Sequence, residues 1–212
     1  SRHPKIKIDV VEKERQIGLH QTMHNSGVIH AGLYYAPGSQ KANFCSTGSL
    51  TLRQFCDDHG ITYRMCGKVV VALKQSQLPT LETLLKRGSE NGVDGLEMIG
   101  PERLRELEPS SAGIRAIHSP NTGIVNFNEV ARKMCDIVQN NGGELLSNTK
   151  LTGIIESEGK LVLETSGNNI IAQSLINCGG LHADSIARMM NPNLDIRIIP
   201  FRGEYFSLNP AR

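Results

Sequence analysis

Between His20 and Tyr35 the chain reads HQTMHNSGVIHAGLYY, with three histidines, one asparagine, one serine, one threonine and two glycines. Small residues let a backbone come close to a ligand. Exposed N–H groups beside Ser and Thr hydroxyls hold phosphate oxygens. His24 and His30 also raise the question of a metal, but no carboxylate or Cys partner stands near them at ligand spacing, so none is expected. A second chemical position is Glu12, which ends the apolar run KIKIDVV. In a dinucleotide-binding βαβ unit the second strand ends in an acid that binds the ribose, and a glycine loop lies about 20 residues earlier. Only 11 residues precede Glu12, so that loop would fall outside this sequence. The alternative for Glu12-Lys13-Glu14 is an ordinary solvated strand end. No G-x-G-x-x-G, P-loop, H-E-x-x-H or G-x-S-x-G occurs.

The elements that must position these residues follow from periodicity. Residues 5–11 predict a strand and 18–38 a long irregular loop. Ala42, Cys45, Leu52, Phe55 and Cys56 fall at helical spacing over 39–59, with Ser39 as N-cap and Gly60 as stop, although Gly48 interrupts. GKVVVAL (67–73) predicts a buried strand, 76–87 a helix, 91–95 a turn, and 101–107 a short helix opened by Pro101. Short strands are expected at 114–120 and 123–127. A helix capped by Asn126 or Asn128 then runs to about Gln139. The runs 150–156, 160–165 and 169–177 predict a β-meander. A turn at Cys178-Gly179-Gly180 leads to a helix over 182–190 with Ala183, Ile186, Ala187 and Met190 inward, and a strand over 196–208 follows. Alternating strands and helices with a late meander indicate an α/β fold carrying an inserted second unit.

Composition removes several classes. Of 212 residues 39% are hydrophobic, enough for a normal core. The net charge is +2, from 23 basic and 21 acidic residues with no basic block, and aromatics are 4%. No nucleic-acid footprint is expected. The five cysteines are widely spaced with no C-x-x-C and are read as free thiols acting as small buried hydrophobes. No run of 18 apolar residues occurs, so no membrane-spanning helix is expected.

The run HNSGVIHAGLYY (24–35) followed by PGSQKANFC (37–45) resembles the loop after the second strand in the L-2-hydroxyglutarate dehydrogenase/oxidase family. The resemblance continues through CGKVVVAL (66–73), LEP (107–109), HSPNTGIVNF (118–127), NCGGLHAD (177–184) and IIPFRGEYFSL (198–208), in order along the chain. That family lies within the D-amino-acid-oxidase-like flavoproteins.

The resemblance implies a Rossmann-like FAD-binding domain, over 1–65 and 140–195, interleaved with an α+β substrate domain on a mixed sheet, over 66–139 and 196–212. It implies oxidation of L-2-hydroxyglutarate to 2-oxoglutarate with hydride transfer to FAD. Carried over by position, Glu12 binds the ribose, and Gln21, Thr22, Asn25, Ser26 and Gly27 line the pyrophosphate and flavin. Leu151 lies near the adenine through its backbone, and Cys178, Gly179 and Gly180 turn the chain beside the cofactor. The reaction needs a base for the C2 hydroxyl. Histidine suits this because its pKa lies near neutrality, with His30 the first candidate and His24 the second. Arg202 suits a substrate carboxylate through bidentate pairing, and Tyr205 donates a further hydrogen bond. Lys68 and His118 are less favoured. The first strand, its glycine loop and the family's last strands are expected outside residues 1–212, so these residues alone are expected to bind FAD weakly and turn over nothing.

Implied partners are a dicarboxylate substrate and an electron acceptor, namely a quinone, an electron-transfer protein or oxygen, with peripheral membrane association. Family members are mitochondrial in eukaryotes. In bacteria they sit at the cytoplasmic face of the inner membrane or in the cytoplasm. The alternatives are a flavin oxidase of another small amino or hydroxy acid, and a noncatalytic fragment.

Overall fold

A computed structural model describes residues 6–204. In chain order its elements begin β1 (Val10–Val11), β2 (Val28–Ile29), α1 (Gln40–His59), β3 (Tyr63–Arg64), β4 (Lys68–Ala72), α2 (Leu78–Glu90), β5 (Glu97–Ile99) and α3 (Pro101–Leu107). They continue β6 (Arg115–Ser119), β7 (Gly123–Val125), α4 (Phe127–Asn140), β8 (Leu145–Leu146), β9 (Leu151–Ser157), β10 (Lys160–Thr165), β11 (Ile170–Ala172) and α5 (Ala183–Met190). The chain divides into two compact units, Thr22–Asp136 and Ser1–Gln21 with Ile137–Arg212. Compactness thus groups residues 22–65 with Thr22–Asp136, whereas the division expected from sequence groups them with the cofactor domain.

In the unit Thr22–Asp136, α1 starts and stops where its caps require. Ser39 is extended and its Oγ accepts the Ala42 N–H at 3.2 Å. Gly60 turns left-handed at φ +68, and the Ile61 N–H closes onto the Cys56 carbonyl at 2.9 Å. Gly48 is tolerated mid-helix. The inner face of α1 packs Leu52, Phe55 and Cys56 with Val130 of α4 against Ile29, Tyr63 and Val125 of the antiparallel sheet β2-β7-β3.

The second sheet, β4-β6-β5, is covered on both faces. Val70, Ala72 and Ile117 meet Leu81 and its neighbours on α2, whereas Val69, Val71 and Ala116 meet Leu104 and Leu107 on α3. Side chains alternate along a strand, so a strand buried on both faces needs an unbroken apolar run. That is why β4 reads KVVVA. Leu104 is fully buried, which contributes about 1.5–3 kcal/mol.

In the other unit β1 runs parallel to β8, and β9, β10 and β11 form the expected antiparallel meander. α5 lies on β9. Its Asp184 is buried, accepts from Arg188 at 2.7 Å and from the Ile198 N–H at 3.2 Å, while Arg188 also donates to the Ile196 carbonyl at 2.8 Å.

Several expectations are corrected. Of the strand expected at 5–11, residue 5 lies outside the described residues and only Val10–Val11 pairs among the rest, its partner β8 having two residues. The run 169–177 pairs only over Ile170–Ala172, since β10 ends opposite Ala172 and the chain turns at Glu158-Gly159. Of the strand expected over 196–208, residues 205–208 lie outside the described residues, and 196–204 form no strand; no neighbouring strand pairs with them among the described residues, and Ile196, Ile199 and Phe201 are exposed. Met190 is exposed, and the buried residue of α5 is Asp184. Of the cysteines, all free, only Cys56 and Cys135 are buried, whereas Cys66 and Cys178 are exposed. Asn126 rather than Asn128 opens α4, its Oδ1 accepting the Asn128 N–H at 3.0 Å.

Candidate active site

In the unit Thr22–Asp136 the loop 22–27 is held by one side chain. Asn25 Nδ2 donates to the Thr22 carbonyl at 2.7 Å, and Asn25 Oδ1 accepts the Gly27 N–H at 2.7 Å. Gly27 lies at φ +67, where a side chain is strained, and an added Cβ would stand 3.1 Å from the Val125 carbonyl oxygen. The Val125 N–H donates to the Gly27 carbonyl at 2.8 Å, which ties the loop to β7. His24 and Ser26 are exposed. Beyond β2, Asn91 at the end of α2 donates to the carbonyls of Gly32 and Tyr35, both at 2.9 Å.

His30 lines a shallow depression of about 410 Å³ with Tyr35, Lys41, Phe44 and Cys45. The Cys45 thiol donates to the His30 carbonyl at 3.3 Å. Lys68 Nζ donates to the Tyr34 hydroxyl at 3.3 Å and stands 4.4 Å from that ring's centre. Partial burial, and then the Lys68 ammonium, hold His30 below the usual histidine value. Burial pushes the Cys45 thiol up and Lys68 opposes it, so Cys45 stays protonated at neutral pH and is a poor nucleophile. This arrangement offers an exposed imidazole, biased towards its neutral form, beside the Lys41 and Lys68 ammonium groups and suited to taking a proton from an anionic substrate.

In the other unit Glu12 follows the parallel strand β1. Its N–H donates to the Leu146 carbonyl at 3.0 Å, its carbonyl accepts the Thr149 N–H at 2.9 Å, and its Oε1 accepts the Glu14 N–H at 2.9 Å. The Thr149 bond brings the segment leading into Leu151, first residue of β9, alongside Glu12. The turn after Ile176 is held by Asn177, whose Oδ1 accepts the Gly179 N–H at 3.1 Å and whose Nδ2 donates to the Ala183 carbonyl at 2.8 Å. A Cβ on Gly179 would stand 2.6 Å from Ile186 Cδ1; Gly180 lies at φ +53, and Gln21 Oε1 stands 3.4 Å from where its Cβ would be. Cys178 is exposed. His20 bonds Glu14 at 3.0 Å and meets the His182 ring edge-on at 6.0 Å between centres. Hydrogen bonds from Lys13 and then His20 hold the Glu14 carboxyl down at about 2.

The structure thus brings Gln21 to Gly180, and Glu12 to the segment before Leu151, across most of the sequence. These residues fit a dinucleotide: a carboxylate ends a parallel strand, and Gly179 and Gly180 keep the turn after Asn177 bare of side chains, so that its backbone is open to close approach. Arg202 is exposed, 3.7 Å from Glu204, and Tyr205 lies outside the described residues. Among the described residues no group of three or more His, Cys, Asp or Glu is placed to hold a metal, and no helix is long and apolar enough to cross a membrane. Sequence reasoning missed Lys41, Tyr35, Asn91 and Asn177 as parts of the site or its support. Tyr35 lies in the ligand-approach loop HQTMHNSGVIHAGLYY, Lys41 and Asn177 lie in the resembling runs PGSQKANFC and NCGGLHAD, and Asn91 was legible only as part of a turn.

A glycine-shaped α/β frame with an acid after its parallel strand is the arrangement of a dinucleotide-binding protein. The model of the DAO family, FAD dependent oxidoreductase, matches residues 1–212, and the chain belongs to that family. Its cofactor is FAD. Mitochondrial L-2-hydroxyglutarate dehydrogenase of Homo sapiens is 40% identical over 223 residues, covering 100% of this chain and 48% of that protein. L-2-hydroxyglutarate dehydrogenase of Indibacter alkaliphilus is 42% identical over 212 residues, covering 100% of this chain and 53% of that protein. The chain spans about half the length of these curated relatives. Among solved structures, FAD-bound L-alpha-glycerophosphate oxidase from Mycoplasma pneumoniae superposes with a TM-score of 0.80 at 22% identity, over 87% of this chain and 50% of that one. L-proline dehydrogenase from P. horikoshii gives 0.77 at 18%, over 92% and 52%. Their likeness is one of fold.

Proposed function

We propose that the full-length protein oxidises L-2-hydroxyglutarate to 2-oxoglutarate. The observation that carries this reading is His30, a histidine biased to its neutral form beside Lys41 and Lys68. The names of the relatives supply the substrate. FAD, when bound, supplies a two-electron acceptor for the hydride leaving C2. A ring nitrogen of His30 takes the proton of the C2 hydroxyl, and the imidazole later releases it to solvent. His24 is the second candidate for this role. Glu12 holds the ribose, and Gln21, Thr22, Ser26, Gly27, Leu151, Cys178, Gly179 and Gly180 line the cofactor. Asn25, whose amide spans the loop from Thr22 to Gly27, shapes that lining as well as belonging to it. Arg202 and Tyr205 donate to a substrate carboxylate.

The functional domains of this proposal are 1–65 with 140–195 for FAD and 66–139 with 196–212 for substrate. Electrons pass on to a quinone, an electron-transfer protein or oxygen, with peripheral membrane association. A mitochondrial location in a eukaryotic source matches the mitochondrial L-2-hydroxyglutarate dehydrogenases of human and mouse. The test is anaerobic addition of L-2-hydroxyglutarate to the purified full-length flavoprotein. Bleaching of the visible flavin bands is expected, and bands that persist would remove the substrate from the reading.

A further inference from the structure

Two lysines stand by His30, and they are not equivalent. Lys68 is committed: its ammonium donates to the Tyr34 hydroxyl and lies over the Tyr34 ring. Lys41 lines the same depression as His30, is exposed, and has no hydrogen bond or ion pair among the described residues. Its place in the chain is also electrostatically adverse. It sits in the first turn of α1, which holds no acidic residue, so its charge faces the positive end of a 20-residue helix dipole. A cation there adds nothing to the helix. Methionine at this position would suit the local structure at least as well. The depression is shallow and open, about 410 Å³, and its other walls are the apolar or weakly polar Tyr35, Phe44 and Cys45. Among the described residues Lys41 is therefore the uncommitted charge that lines the depression with His30.

We propose that Lys41 is the residue that selects a dicarboxylate, pairing with the substrate carboxylate distal to the reacting C2. The inference rests on the oxidation proposed above. It assigns that enzyme's preference for a diacid over a 2-hydroxy monoacid to a single ammonium on the first turn of α1.

The experiment compares full-length holoenzyme with Lys41→Met and Lys41→Arg on two substrates. These are L-2-hydroxyglutarate and L-2-hydroxyvalerate, which has the same carbon skeleton with a methyl group in place of the distal carboxylate. For Lys41→Met, KM for L-2-hydroxyglutarate should rise about tenfold or more, as expected for loss of one charge-assisted contact, while kcat stays within about twofold. The kcat/KM for L-2-hydroxyvalerate should not change. Lys41→Arg should restore the diacid KM. The thermal midpoint of Lys41→Met should equal or exceed that of wild type, whereas a structural lysine would lower it. Equal losses on both substrates, or no loss on the diacid, overturn the assignment while leaving the oxidation intact. Wild-type enzyme that does not oxidise L-2-hydroxyglutarate at all overturns both.

Discussion

Replacing Gly27 with alanine tests whether the loop 22–27 is held as described. At φ +67 an L-residue costs about 1–2 kcal/mol. The new Cβ would also stand 3.1 Å from the Val125 carbonyl oxygen. That oxygen belongs to β7, which is hydrogen-bonded to β2 on one side and β3 on the other, so it has little freedom to retreat. The loop must yield instead, straining the 2.8 Å bond from the Val125 N–H to the Gly27 carbonyl, whose loss costs about 0.5–1.5 kcal/mol. Alanine returns about 0.4–1 kcal/mol by restricting the unfolded chain. The net destabilisation is about 0.5–3 kcal/mol, to be read from the urea midpoint followed by far-ultraviolet circular dichroism. Each kcal/mol also lowers the melting temperature by about 2–4 °C. Gly48→Ala is the matched control. It lies within α1, an added Cβ there meets nothing within 4 Å, and alanine should stabilise by about 0.5–1 kcal/mol. If Gly27→Ala melts at or above wild type while Gly48→Ala behaves as stated, the left-handed loop and its tie to β7 are refuted.

Three further outcomes are expected. His30→Ala should lower kcat of the full-length enzyme by about a hundredfold to ten-thousandfold; an equal loss in His24→Ala and none in His30→Ala would transfer the base role to His24. Burial and the Lys68 charge lower the His30 pKa, so its active neutral form persists below pH 6.5 and is lost as pH falls through its own value. Lys68→Met removes one of those causes and should move the acid limb of kcat/KM to higher pH; an unmoved limb would mean that His30 does not sense Lys68. Asp184 has its carboxyl held at about 2, first by its bond to Arg188 and then by the Ile198 N–H, against an ordinary 3.8. Its contribution to stability is therefore full above about pH 3.8 and is lost as pH falls through about 2. The stability gap between wild type and Asp184→Asn should close over that window; a gap that stays constant to pH 2 would show that the carboxylate charge is not its source.

Local rules were legible along much of this chain. Ser39 and Gly60 bound α1, Pro101 opens α3, and the turn at Glu158-Gly159 separates two meander strands, because caps and turns are satisfied by atoms a few residues away. The apolar run of β4 was legible as a buried strand for a similar reason, since alternation alone tells which faces must be covered. The loop expected over 18–38 was legible in part, because glycine, asparagine and serine announce backbone that departs from helix and strand, but β2 (Val28–Ile29) lies inside it, paired with Gly123 and Ile124 of β7 far along the chain.

Strand lengths were not legible in this way. A strand ends where its partner ends, and the partner of Val10–Val11 is Leu145–Leu146, more than half the chain away. The apolar run after Ile196 looks like a strand in sequence, yet no described strand pairs with it, and Asp184 and Arg188 hold its backbone instead. The same holds for the site. Residue type marked His30 and the Asn177–Gly180 turn, but only tertiary structure put Lys41 beside His30, gave Lys68 to Tyr34, set Asn91 under the loop at Gly32, and brought Gln21 to Gly180. The chemistry a side chain can perform is a property of the residue, whereas its electrostatic surroundings and partners are set by contacts between segments distant in sequence.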